Sequence, residues 1–361
     1  MLARYRDRGL VRTVAERVAQ VTAGSPLRIM HVCGTHEWAI THNGLRELLP
    51  RNVEVVAGPG CPVCVTPGGE IDAICGLALS GKAVVTTFGD VLRVPGANRS
   101  LAEAKASGAD IRVVYGVSDA VRMASEEPER DFVHFSIGFE TTAPTAAIEI
   151  MRFPPRNFSI FSSHKLIPPA MEYLLRSGAA IDGFICPGHV STIIGAKAYE
   201  GLAKEYSKPM AVAGFEPLDI MLAILSIALQ RKRGVAQVYN EYARAVRYLG
   251  NELALRAMET VFVAADAEWR GIGKIPGSGL KLREEYSDFD ACVKHGMGTV
   301  GGGGMPQGCS CGEVLLGSLR PEECPLFGGE CRPDRPVGPC MVSLEGTCAI
   351  AFKYSGLRGR R

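Results

Sequence analysis

Over its first 225 residues the chain repeats one pattern: a short continuous apolar run, then a segment with helical spacing. Runs at 27–32, 53–57, 84–88, 111–115, 132–137, 158–161, 181–185 and 210–213 read as strands. Helices are expected after the first run through about residue 49, at 70–79 and at 101–107. Strands alternating with helices are the mark of βαβ units, which build parallel sheets covered by helices. The runs are apolar at successive positions, as burial on both faces requires. The expected fold is therefore multi-domain α/β, with parallel sheets flanked by helices. At 361 residues two or three domains are expected. Cuts near 108 and 230 give 1–108, which carries Cys33 and the Cys61/Cys64 pair, then 109–230, then 231–361.

The unusual residues lie just after the strands. The segments are His31-Val32-Cys33-Gly34-Thr35-His36, Gly58-Pro59-Gly60-Cys61-Pro62-Val63-Cys64, Gly138-Phe139-Glu140-Thr141-Thr142, Ser162-Ser163-His164-Lys165 and Cys186-Pro187-Gly188-His189. Open α/β sheets bind ligands beyond the carboxyl ends of their strands, so these loops are expected to share a cleft.

Several function classes drop out. Forty Lys and Arg against thirty-eight Asp and Glu leave +2, too near balance for a bulk nucleic-acid binder. The longest apolar helix candidate, 218–230, contains Asp219 and is too short to span a bilayer. The N-terminus has no apolar signal core, so a soluble cytoplasmic protein is expected. No GxxxxGK[ST] loop occurs, and the glycines at 271–279 lack a strand-to-helix setting for a dinucleotide. Arg231-Lys232-Arg233 reads as a helix end favoured by the dipole.

Twelve cysteines need a chemical reason, and six of them fall in the last 53 residues. Without a secretion signal, metal or redox chemistry is a better reading than a disulfide framework. Cys311, Cys324, Cys331 and Cys348 are separated by twelve, six and sixteen residues, with Cys309 and Cys340 beside them. Structural zinc favours close pairs two to four residues apart, which do not recur here. One [4Fe–4S] cluster on a loop-rich C-terminal lobe fits better, with zinc or plain thiols and disulfides as the other readings. The stretch is rich in Gly and Pro and would be hard to order without a metal or cross-link. The glycine run at 299–306 ahead of it reads as flexible or tightly turned.

Cys61-Pro62-Val63-Cys64 is a CxxC after a strand, a redox geometry, and its Gly and Pro flanks suggest an exposed backbone. Cys33 precedes a glycine that permits close approach, and His36 lies one helical turn on. The pair could be nucleophile and base, or a thiolate metal ligand with a proton donor nearby, or a buried cysteine beside a helix cap. His164, Lys165 and His189 are each weak signals alone, and Glu140 fits a helix start or an anion contact. Cys75 and Cys292 read as packing residues, and Cys186 is open.

Cys33-Gly34-Thr35-His36-Glu37, Gly58-Pro59-Gly60-Cys61-Pro62-Val63-Cys64, Gly138-Phe139-Glu140-Thr141-Thr142-Ala143-Pro144-Thr145, Phe184-Ile185-Cys186-Pro187-Gly188-His189-Val190, Val212-Ala213-Gly214-Phe215-Glu216-Pro217 and Gly338-Pro339-Cys340-Met341-Val342-Ser343 resemble the motifs of the HypD family of [NiFe]-hydrogenase maturation proteins, from about residue 9 to the end. The resemblance implies a multi-domain α/β fold with a [4Fe–4S] cluster in its last lobe, held by Cys311, Cys324, Cys331 and Cys348. It implies that Cys33 holds iron with His36 near it, and that Cys61 and Cys64 are a redox dithiol. It further implies a scaffold rather than a conventional turnover enzyme. With a small HypC-type chaperone the scaffold assembles the Fe(CN)2CO unit, and cyanide arrives from a HypE-type partner supplied through a HypF-type carbamoyl transferase. The competing readings are a stand-alone iron–sulfur thiol–disulfide oxidoreductase and a zinc-stapled binding module.

Overall fold

The computed structural model describes residues 2–298, 300 and 302–358. Thr299 and Gly301 of the glycine run lie outside the described residues. The α/β expectation holds. One parallel sheet has the order β2-β1-β7-β8-β9, from β1 (Leu27–His31), β2 (Val53–Ala57), β7 (Gly183–Pro187), β8 (Met210–Ala213) and β9 (Val238–Asn240). A second has the order β4-β3-β5-β6, from β3 (Val84–Thr87), β4 (Ile111–Val113), β5 (Phe132–Gly138) and β6 (Phe158–His164). The chain thus leaves the first sheet after β2, completes the second, and returns at β7. A cut at 108 falls between β3 and β4, which are hydrogen-bonded neighbours, and one at 230 separates β8 from β9. Sheet membership divides the chain differently because parallel neighbours are joined by crossovers and need not be consecutive.

The strand residues alternate between two cores. In β1, Ile29 packs on the outer side with α1 (Arg8–Thr22) and the helix Pro217–Arg233, while Met30 faces the core between the sheets. Val55 and Val56 of β2 divide the same way. The outer face of the second sheet is covered by helices Val117–Glu126, Ala143–Met151 and Glu252–Val261. No helix among the described residues is long and apolar enough to cross a membrane.

Two elements differ from expectation. β10 (Phe262–Trp269) and β11 (Gly273–Leu282) form an antiparallel hairpin. Three glycines and a proline in β11 hide it, since both residue types are depleted in strands. The C-terminal stretch also does not stand apart as a lobe. Cys311, Val314, Leu315, Cys331, Cys340, Met341, Val342 and Cys348 are buried in the central core with strand residues of both sheets. So few apolar residues cannot close a core of their own, and they bury themselves in the shared one.

Candidate functional site

The first sheet brings three strand ends together. After β1, Cys33 occupies the N-cap of α2 (Gly34–His42), with extended backbone and its side chain buried. After β2, the chain turns back so tightly that a Cβ on Gly60 would lie 2.0 Å from the Cys33 nitrogen. The Gly34 amide donates to the Gly60 carbonyl at 3.1 Å and fixes that approach. Cys61 then caps α3 (Pro62–Val65), its sulfur accepting from the Cys64 amide at 3.3 Å. Cys61 and Cys64 are joined by a disulfide with Cα atoms 5.3 Å apart. Both are buried, contrary to the exposure expected from their flanks. The glycines serve close packing instead: a Cβ on Gly58 would strike the Met30 side chain at 2.6 Å.

His36 lies under this loop, fully buried, and donates from Nε2 to the carbonyls of Ala213 (3.2 Å) and Gly214 (3.0 Å) after β8. These acceptors assign the proton to Nε2. Among the described residues its Nδ1 has no hydrogen-bond partner. Burial, with His31 nearby, pushes its pKa down to about 3, so the ring is neutral. Phe215 lies between His36 and the exposed His189, with ring centroids 5.1 and 4.1 Å away. Burial pushes the Cys33 thiol up to about 12, and Glu345 adds to this. The backbone N–H groups of His36 and Thr35 oppose the rise without making a cap hydrogen bond. Cys33 is therefore a thiol that a metal would have to deprotonate on binding.

The support below is charged. His31 Nε2 meets Glu37 Oε2 at 2.8 Å, and Arg46 donates twice to the same carboxylate, at 3.0 and 2.6 Å. Thr41 adds a fourth contact at 2.8 Å. Glu345, from the C-terminal segment, accepts from Thr35 Oγ1 at 2.7 Å and so ties that segment to α2. Sequence reasoning missed the roles of His31, Glu345 and Arg46, because their partners are distant in the chain or carry no motif.

The second sheet's strand ends are more structural. His164 is buried between Ser136 and Ser162, with both ring nitrogens partnered, and burial lowers its pKa to about 3. Buried Lys165 pairs with Glu70 at 3.6 Å, and Ser163 also donates to Glu70. Glu140 accepts from the Ile167 amide at 2.9 Å through Oε1. Its Oε2 has no partner among the described residues, and burial raises its pKa to about 7. A raised carboxyl pKa means that native stability falls as pH climbs from the ordinary 4.5 through about 7. Glu140→Gln is thus expected to gain on the wild type between pH 5 and pH 8, by up to about 3 kcal/mol. Urea unfolding at both pH values checks this, and an equal gap at both would show that Glu140 does not ionise at cost.

The C-terminal cysteines lie beyond α3, which packs against the turn Pro339–Met341. Cys340 lies close enough to Cys311 and Cys348, and Cys309 to Cys311, for their thiols to act on one another. This proximity pushes Cys340 up and Cys348 down toward thiolate. Cys331 is buried within reach of their charge and accepts from the Val337 amide at 3.4 Å. Cys324 is half-buried in the turn that follows Pro321–Glu323. Cys309 and Cys340 are both free thiols. Among the described residues no group of three or more His, Cys, Asp or Glu is set as a ready metal site. Cys75 and Cys186 are packed in the core, and Cys292 is half-buried.

One neighbour argues for a charged occupant. Arg270, 2 % exposed, donates from Nη1 to the Pro95 carbonyl at 2.6 Å. Its Nε and Nη2 have no partner among the described residues, and Cys309, Cys311 and Cys340 are close enough to act on its charge. A buried cation with idle donors beside soft thiols fits a thiolate-held group of negative charge.

The family described as "Hydrogenase formation hypA family" (HypD) matches residues 9–355. A hydrogenase expression/formation protein of Methanocaldococcus jannaschii is 47% identical, covering 96% of this chain and 98% of that one. The hydrogenase maturation factor HypD of Rhizobium leguminosarum bv. viciae is 46% identical, over 98% and 95%. That of Escherichia coli is 44% identical, over 96% and 94%. With six motifs in order, a matched family over nearly the whole length and relatives this similar, the chain belongs to the HypD family of hydrogenase maturation factors.

Proposed function

We propose that this chain is the redox-active scaffold on which the Fe(CN)2CO part of a [NiFe] site is assembled in the cytoplasm. The observation that carries the reading is the position of the Cys61–Cys64 disulfide. Its leading Gly60 presses on Cys33, and its helix α3 packs on the turn that holds Cys340. A two-electron group thus stands between a single soft ligand and a pocket of thiols.

Cys33 is the ligand for the iron cargo. Low-spin iron with cyanide and CO favours a soft anionic donor, and a thiolate is one. Burial of the Cys33 sulfur keeps water from competing, and a second sulfur comes from a HypC-type chaperone. Neutral His36 orients the site through its two carbonyl contacts and leaves Nδ1 as a hydrogen-bond acceptor. Cyanide arrives from a HypE-type partner, supplied through a HypF-type carbamoyl transferase. Opening the Cys61–Cys64 disulfide takes two electrons and two protons and leaves two thiols; closing it returns them. Cys311, Cys324, Cys331 and Cys348 would hold a [4Fe–4S] cluster, which when bound supplies one-electron transfer.

Anaerobic purification of the chain with its small chaperone, followed by infrared spectroscopy and iron analysis, tests the reading. Cys33→Ala should keep about four cluster irons but lose the cyanide and carbonyl stretches. Cys311→Ala should lose the cluster irons. Unchanged bands per protein in Cys33→Ala would remove Cys33 as ligand, and turnover of a disulfide substrate without partners would favour a stand-alone oxidoreductase.

A further inference from the structure

The hairpin β10–β11 turns at Arg270 and Gly271, and this turn is wedged between the two redox groups. The Arg270 amide donates to the Val65 carbonyl at 2.8 Å, at the end of the CxxC helix. Gly271 packs so closely on Gly312, next to Cys311, that a Cβ on Gly312 would meet the Gly271 carbonyl at 2.5 Å. The same turn therefore fixes the backbone at the end of the CxxC helix and beside Cys311. The Arg270 guanidinium is buried and, among the described residues, uses Nη1 alone, on the Pro95 carbonyl. The acid nearest in charge, Asp72, is engaged by the Ala97, Asn98 and Arg99 amides and by the Asn98 side chain. A guanidinium has five N–H donors, so leaving donors idle in the interior is costly unless an anion meets them.

We propose that Arg270 is a positioning residue that supplies the buried positive charge for the cysteine-held centre and sets its reduction potential. The inference rests on the iron–sulfur reading above. A fixed cation stabilises the reduced, more negative state over the oxidised one, and so raises the potential. It also ties the potential to the place where the disulfide helix ends.

The test uses the full chain, reconstituted anaerobically with iron and sulfide, as wild type, Arg270→Met and Arg270→Lys. Iron is counted, and the reduced cluster is followed by electron paramagnetic resonance against applied potential. Arg270→Met should hold its irons and show at least a tenfold smaller reduced-to-oxidised ratio at the wild-type midpoint, about 59 mV for one electron. Arg270→Lys, which keeps the charge, should recover most of the difference. An unchanged midpoint in Arg270→Met overturns this proposal alone, whereas a wild-type chain that takes up no iron overturns the cluster reading and this proposal with it. Should Arg270→Met fold but hold no iron, retention by Arg270→Lys supports the charge, and equal loss in both variants assigns Arg270 to packing and overturns the proposal.

Discussion

Gly60→Ala is expected to destabilise the chain by about 3 kcal/mol or more, at the upper end of what overpacking usually costs. The added methyl would stand 2.0 Å from the Cys33 nitrogen, 2.2 Å from the Val32 carbonyl carbon and 2.4 Å from the Cys33 Cα. All three are backbone atoms, held at the end of β1 by a fully parallel register with β2. No rotamer change relieves the contact, so one strand end must move. The Gly34–Gly60 hydrogen bond would break with it, and the CxxC would separate from Cys33. Urea unfolding measures the loss. Gly76→Ala, where an added Cβ meets nothing within 4 Å, is the control. A Gly60→Ala chain as stable as that control would mean the two loops are not in contact.

Glu37→Ala should cost about 3 kcal/mol near neutral pH, as expected when one partner of a buried ion pair is removed. The carboxylate receives Arg46 twice, with His31 and Thr41, and is itself 3 % exposed. Arg46 is partly open to solvent, which holds the figure to the low end of that range. The pH dependence has a definite sign. Burial works to raise the Glu37 pKa, but Arg46 and His31 overcome it and hold the carboxyl far below its ordinary 4.5. A depressed carboxyl contributes stability above the unfolded value and loses it as pH falls toward the folded one. The gap between wild type and Glu37→Ala should therefore be widest near pH 7 and narrow below about pH 4.5. A gap that stays constant from pH 7 to pH 4 would show that Glu37 contributes by packing rather than by charge.

What could be read beforehand follows from the range of the interactions. β2 and β8 fall where their apolar runs place them, since burial on both faces is written locally. The helix after β1 ends at His42 rather than continuing to about 49, because Asn43 and Gly44 leave the helical path before a 3-10 turn at Arg46–Leu48. Cys33, His36, Cys61 and Cys64 could be singled out because each follows a strand in a loop rich in glycine. Their burial could not, since it depends on segments distant in the chain: Ala213 to Phe215 against His36, Glu345 beside Gly34, and Pro339–Met341 against α3. Arg270 had no signal at all: a lone arginine at a hairpin tip is ordinarily solvated, and it is tertiary packing, of Gly271 on Gly312 and of Arg270 on Val65 and Pro95, that draws it inward.

The return of the chain to its first sheet has a consequence for its birth on the ribosome. β1 is flanked by β2, made shortly after it, and by β7, just before which the Asp182 side chain accepts from the Arg28 amide across a separation of 154 residues. At ordinary elongation rates that interval lasts on the order of ten seconds. During it β1 offers an open edge, the kind of surface that recruits foreign strands and holdase chaperones. The thiols at 33, 61 and 64 are just as uncovered, because residues 183–187 and the final cysteine stretch have yet to emerge. The nascent chain therefore passes through a period in which these sulfurs meet the cell's oxidants and metals before the fold can choose between them.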